Sequence, residues 1–149
     1  MKKLAGTLVT YLLIIFGVPA ASFAGPVAAG SRHSVVVTPD GRVWTWGGNG
    51  NYQLGDGTPS DRRSPVAIAG ISDAIAVAAG AIHTLVLKAD GTVWSFGYNG
   101  YGQLGDGTYY SRAQPVQVAS LTNVIAIAAG DYFSLALTGD GHVWAGAPA

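Results

Sequence analysis

The chain has 149 residues and no cysteine, and its eight Lys and Arg side chains balance its eight acidic ones, all of them Asp, for a formal net charge of zero. Without cysteine there are no disulfides, no thiolate metal sites and no cysteine nucleophiles. Without an excess of basic charge there is no surface built to neutralise a nucleic-acid backbone, so nucleic acid is not expected as a partner.

The first 24 residues read MKKLAGTLVTYLLIIFGVPAASFA. Lys2 and Lys3 make a basic start, Leu8 to Val18 form an apolar run interrupted by Thr10, and Ser22-Phe23-Ala24 places small residues where a signal peptidase cuts. This order predicts a secretory signal peptide over 1–24 and a secreted or periplasmic product with no membrane association after cleavage. Retention as a membrane anchor is the alternative, against which stands the shortness of the run, since spanning a bilayer takes about 20 apolar residues. Removing the leader leaves six basic side chains against eight acidic ones, a net charge of −2.

Beyond the leader the chain repeats itself. Ala29-Gly30, Ala79-Gly80 and Ala129-Gly130 are spaced by 50 residues, and Asp40-Gly41, Asp90-Gly91 and Asp140-Gly141 keep that spacing, as do Trp44, Trp94 and Trp144. A fixed period of this length marks a repeat architecture. Repeat 1 covers 25–73, repeat 2 covers 74–123, and 124–149 is a partial third.

The second copy is complete and shows the elements in order. Ala74 to Gly80 (AIAVAAG) is a short run of small and branched residues, His83 to Ala89 alternates, Asp90-Gly91 is a tight-turn pair, and Thr92 to Gly97 alternates again. These read as three antiparallel strands. After a glycine-rich phrase, Pro115 opens a fourth, PVQVA, in which an edge position tolerates the missing amide donor. Four short strands per unit make one antiparallel sheet, and such sheets arrayed about an axis make an all-β propeller, here of about two and a half blades. Ala76, Ala78, Ala79 and Gly80 are small enough for the crowded axis. Trp94 and Phe96 suit the space between sheets, and Trp94 is expected to be buried there, each ring covering on the order of 150–250 Å².

The glycine-rich phrase WTWGGNGNYQLGDGT, Trp44 to Thr58, returns as WSFGYNGYGQLGDGT, Trp94 to Thr108. Gly97, Gly100, Gly102, Gly105 and Gly107 are placed to let the chain turn at the rim between blades, with Gln103 and Asp106 positioned to satisfy loop amides. A phosphate-cradling loop would have to open a helix and supply Lys with Ser or Thr, and neither is present.

In sequence, VAAG, His-Ser/Thr, DG, VWxxG, NGxxxQLGDGT, Arg and Pro-Val resemble the RCC1 (regulator of chromosome condensation) repeat over Val27 to Trp144. The resemblance implies four-stranded blades that in closed propellers number about seven, and an exported bacterial-type member of the family that binds a protein target through exposed loops. The resemblance also implies, as an alternative, guanine-nucleotide exchange on a nuclear GTPase, against which stand the uninterrupted units and the expected leader.

No residue pattern nominates a catalyst or cofactor. His33 and His83 are equivalent, and Phe133 takes their place in the third copy, which fits a packed position better than a ligand or base. The aspartates of the DG pairs have turn settings, not the closely spaced oxygens of a calcium loop, and with Glu absent no carboxylate pair for glycosidic chemistry can be named. An enzyme acting on cell-wall or carbohydrate polymers is therefore a rival without supporting residues. A binding surface is expected where the copies differ: Asn51-Tyr52 becomes Tyr101-Gly102, and Pro59-Ser60 becomes Tyr109-Tyr110. Tyr98, Tyr101, Tyr109 and Tyr110 are the candidate contact residues, tyrosine being enriched at interaction hot spots; their alternative use is to cover the neighbouring blade. Two and a half blades cannot close a ring, so the chain is expected to be a fragment of a longer propeller or to be completed by other chains, including copies of itself.

Overall fold

A computed structural model describes residues 26–146; the expected leader lies outside them. Eleven strands form three antiparallel sheets. The first holds β1 (Val27–Ala29), β2 (His33–Val37), β3 (Val43–Gly47) and β4 (Arg62–Ala67). The second holds β5 (Ala74–Ala79), β6 (His83–Lys88), β7 (Val93–Gly97) and β8 (Arg112–Gln117). The third holds β9 (Val124–Ala129), β10 (Ser134–Thr138) and β11 (Val143–Gly146). Strands pair in chain order within each sheet, so each is a meander drawn from one contiguous stretch.

The β2–β3, β6–β7 and β10–β11 hairpins turn on the Asp-Gly pairs. Gly41, Gly91 and Gly141 sit at φ 77°, 77° and 88°, and each Asp carboxylate accepts the amide of the residue two ahead, Asp90 from Thr92 at 3.0 Å. The fourth strand of the second sheet starts at Arg112, three residues before the expected Pro115, because Arg112 already pairs with Gly97.

The sheets meet through their first strands, β5 touching β1, β2 and β9. Ala29-Gly30, Ala79-Gly80 and Ala129-Gly130 converge on one cleft, and backbone hydrogen bonds cross it from Ser31 N to Ala81 O and from Ala81 N to Asp131 O. Ala79 and Gly80 are therefore placed as expected, whereas Ala76 packs in the core between the second and third sheets.

Strand alternation supplies the two cores. On β6 and β7, Val86 and Phe96 face the first sheet, where they join Val35, Val37, Val43, Ile68 and Ile71. Leu87 and Val93 face the third sheet with Val118, Leu121, Val124 and Ala136. Covered on both faces, β6 is buried over five consecutive residues, whereas β2 and β10 alternate between buried and half-buried.

Trp94 corrects the sequence reading: it is half-buried, at the margin of the first interface, and Phe96 is the ring that is fully buried between sheets. Both lie on one face of β7, but Trp94 sits toward the open end beside Ala67 and Gly70, while Phe96 sits deeper against Gly55. Trp144 is half exposed, so aliphatic side chains and one phenyl ring, not tryptophans, hold the sheets together.

Candidate functional site

The glycine-rich phrase is the loop between the third and fourth strands of one sheet, β3–β4 and β7–β8, and not, as expected, the passage between sheets; those passages are the shorter stretches 68–73 and 118–123. It nonetheless leans on the next sheet. A Cβ on Gly55 would lie 2.6 Å from the Phe96 ring, and one on Gly97, at φ 107°, would lie 2.7 Å from Ile82 O. No side chain fits either place.

A buried asparagine organises each loop, a role the sequence reading missed. Asn99 Nδ2 donates to Asp106 Oδ1 and Thr108 O, both at 3.0 Å, and its Oδ1 accepts Leu104 N at 2.9 Å. Asn49 repeats this with Asp56, Thr58 and Leu54. Gln103 Oε1 accepts Tyr101 N at 3.0 Å, as expected of it. Asp106 also accepts Thr108 N and pairs with Arg112 at 2.7 Å. Burial pushes the Asp106 carboxyl up, but hydrogen bonds from Thr108 and Arg112 outweigh it and hold the group below the usual carboxylate range. The signal was present in the Asn-Gly recurring at 49 and 99, which as a dipeptide reads only as a turn.

This frame presents the tyrosines. Tyr98 lies edge-on to Tyr101 with ring centroids 5.9 Å apart, and Tyr101 lies edge-on to Tyr132 of the third unit at 5.5 Å. The Tyr98 hydroxyl rests where a Cβ on Gly100 would stand, and Tyr109 lies against Gly102. Tyr98 is half-buried, whereas Tyr101, Tyr109 and Tyr110 are 48%, 69% and 76% exposed. Tyr101 thus covers part of the third unit through Tyr132, Tyr98 packs on Tyr101 within its own unit, and Tyr109 and Tyr110 stand mostly in solvent. Tyr132, about half exposed, extends the same aromatic surface, whereas the Phe133 ring turns back onto Gly130. Tyr132 was missed although it replaces Arg32 and Ile82 at the equivalent positions, the difference between copies that singled out the others.

His33 and His83 are buried, as the Phe133 replacement implied. His33 Nε2 lies 2.9 Å from Thr84 Oγ1, whose hydrogen goes to Gln53 O. Thr84 can therefore only accept, which places the His33 proton on Nε2. His83 Nε2 meets Ser134 Oγ at 2.9 Å. Burial lowers both pKa values from 6.5 to about 4, the charge of His33 adding to the effect at His83. The unfolded chain then binds more protons than the folded one between these values, so stability present above pH 6.5 is lost as pH falls toward 4. Equilibrium urea unfolding across that window should show the decline, and His83→Gln, which keeps a polar partner for Ser134 without titrating, should flatten part of it.

Among the described residues no three His, Asp or Glu side chains come together as a metal site requires. What the geometry defines is two four-stranded blades and a three-stranded one of a β-propeller, with an aromatic surface beside the β7–β8 loop. The RCC1 repeat model, regulator of chromosome condensation, matches residues 40–87 and 90–137, more than half of the chain, and a second model of that repeat matches 74–103. The chain belongs to the RCC1 repeat family. It is 50% identical over 44 residues to the human regulator of chromosome condensation, a match covering 30% of this chain and 10% of that one. Human WBSCR16 superposes with TM-score 0.73 at 29% identity, over 83% of this chain and 33% of that one. Yeast RCC1 (Prp20), solved with Kap60 bound, gives TM-score 0.66 at 28% identity over 80% and 28%. The chain thus spans a tenth of the curated human relative and about a third of the solved propellers.

Proposed function

We propose that this chain is a non-enzymatic protein-binding module whose contact surface is the aromatic rim formed by Tyr101, Tyr109, Tyr110 and Tyr132, acting outside the cytoplasm after removal of residues 1–24. The observation that carries the reading is the pairing of a rigid frame with exposed rings. Asn99, Gln103 and Asp106 fix the β7–β8 loop, and that loop holds Tyr109 and Tyr110 out in solvent. Large rings on a fixed backbone bury area at little entropic cost, which is what a binding surface needs. A relative of this fold, yeast RCC1, is itself seen bound to a second protein, Kap60. Export rests on the basic start, apolar run and Ser-Phe-Ala site alone.

The test is capture of partners by the secreted chain, whose amino terminus should lie near Gly25, with a photo-crosslinker placed at the exposed Tyr132 beside Tyr101. Crosslinks to a discrete protein are expected, and the Tyr109→Ala/Tyr110→Ala double variant should lose them while unfolding within about 0.5 kcal/mol of the parent, as exposed substitutions do. Undiminished capture by the double variant would move the surface elsewhere.

A further inference from the structure

Among the described residues, nothing lies over the outer faces of the first and third sheets. The 50-residue offset shows what each face is shaped to meet. At the first joint Val77, Val86 and Trp94 stand side by side across β5, β6 and β7, and with Phe96 they pack into one core with Val37 and Val43 of the first sheet. At the second joint the row Ala76, Leu87 and Val93, on the other face of the second sheet, packs with Val124 and Ala136 of the third. Every joint thus sets a leading face against a trailing face, and only the second sheet has both in use.

The two free faces are one of each kind. On the first sheet the row equivalent to Val77, Val86 and Trp94 is Val27, Val36 and Trp44, with Trp46 in the place of Phe96. Val27 is 64% exposed and Val36, Trp44 and Trp46 are half-buried, whereas Val77, Val86 and Phe96 are buried. On the third sheet the row equivalent to Ala76, Leu87 and Val93 is Ala126, Leu137 and Val143, and Val143 is 66% exposed where Val93 is 1%. The hairpin glycines show the same contrast. A Cβ on Gly41 would lie 2.9 Å from Asp73, and one on Gly91 3.1 Å from Asn123, each at the entrance to the following sheet, but one on Gly141 would meet nothing within 4 Å. The backbone bonds from Ser31 N to Ala81 O and from Ala81 N to Asp131 O form a series. Its next member would run from Asp131 N to the carbonyl of another Ser31.

We propose that these two faces bind each other between copies of this chain, head to tail, the first sheet of one copy laid on the third sheet of another. The occupant is a second copy because the chain carries both halves of the contact, each matched by position to a half already in use within it. Neither row includes Tyr101, Tyr109, Tyr110 or Tyr132, so the contact is separate from the tyrosine rim. It is weaker than the internal joints. His33 and His83 bond the hydroxyls of Thr84 and Ser134, whereas Phe133 brings no such bond to Ser34 of the next copy. A head-to-tail contact also leaves one face of each kind free on every assembly until a ring closes.

Sedimentation velocity on the chain, purified in the form in which the cell delivers it, is the test. Its average mass should rise with concentration between about 1 and 100 μM. Val27→Asp and Val143→Asp each place a charge on one free face at an exposed position, and each alone should weaken association at least about tenfold. Mixed in equal amounts, the two variants retain one intact face of each kind and should form a heterodimer that grows no further. Two aspartates cannot attract one another, so that recovery cannot come from a new ion pair, and it shows that both variants fold. A mass that stays at one chain up to about 100 μM would overturn the proposal and leave the faces to a different partner. Undiminished association of either single variant, or a mixture no heavier than its components, would overturn the head-to-tail pairing of these faces.

Discussion

Replacing Phe96 by alanine should destabilise the protein by about 3–5 kcal/mol, the range for deleting a large buried aromatic. The ring is fully buried, lies beside Val86 in the core with Val35, Val43 and Ile68 of the first unit, and closes on Gly55 of that unit. Its loss opens a cavity that Gly55, having no side chain, cannot fill by rotation. Trp94→Ala, on the same strand face but half-buried, should cost clearly less despite removing a larger ring. Urea denaturation of the two variants side by side checks the order, and an equal or reversed cost would mean that the depth assigned to the two rings is wrong.

The second large effect is expected at a polar residue. Asn99→Ala should cost about 2–3 kcal/mol, because it leaves the buried Leu104 amide without an acceptor and the Thr108 carbonyl without its donor. Asn99→Asp is the informative companion. It is nearly isosteric and keeps an acceptor for Leu104, yet it sets a carboxylate oxygen where Nδ2 now donates, 3.0 Å from Asp106 Oδ1. Two carboxylates in that position repel, so at neutral pH Asn99→Asp should be no milder than Asn99→Ala. Thermal unfolding at pH 7 measures both, and a near-native Asn99→Asp would show that shape and not the amide donor organises the loop.

The legible and illegible parts of this protein divide along a physical line. The period, the Asp-Gly hairpins and the alternating strands could be read because each is a local rule written in adjacent residues, and three copies reinforced it. Alternation also told which face of β7 carried Trp94 and Phe96. It could not tell depth, which depends on Gly55 and Ala67 in another unit. The tyrosines were found by comparing copies, and the comparison applied once more would have marked Tyr132. Asn49 and Asn99 escaped because their partners lie five to eleven residues away and become neighbours only when the loop closes.

The hydrogen bonds from His33 to Thr84 and from Thr84 to Gln53 run from the first sheet to the second and back into the first unit's rim loop. With Gly55 beneath Phe96, that loop is tied to the sheet that follows it as well as, through Thr45 Oγ1 to Leu54 O and Arg62 to Asp56, to its own. The segment that opens as one piece is therefore expected to run past the repeated segment, the loop opening with either sheet it joins. A break within 49–58 would loosen the second sheet as much as the first, and the 50-residue unit of sequence is not the unit of unfolding.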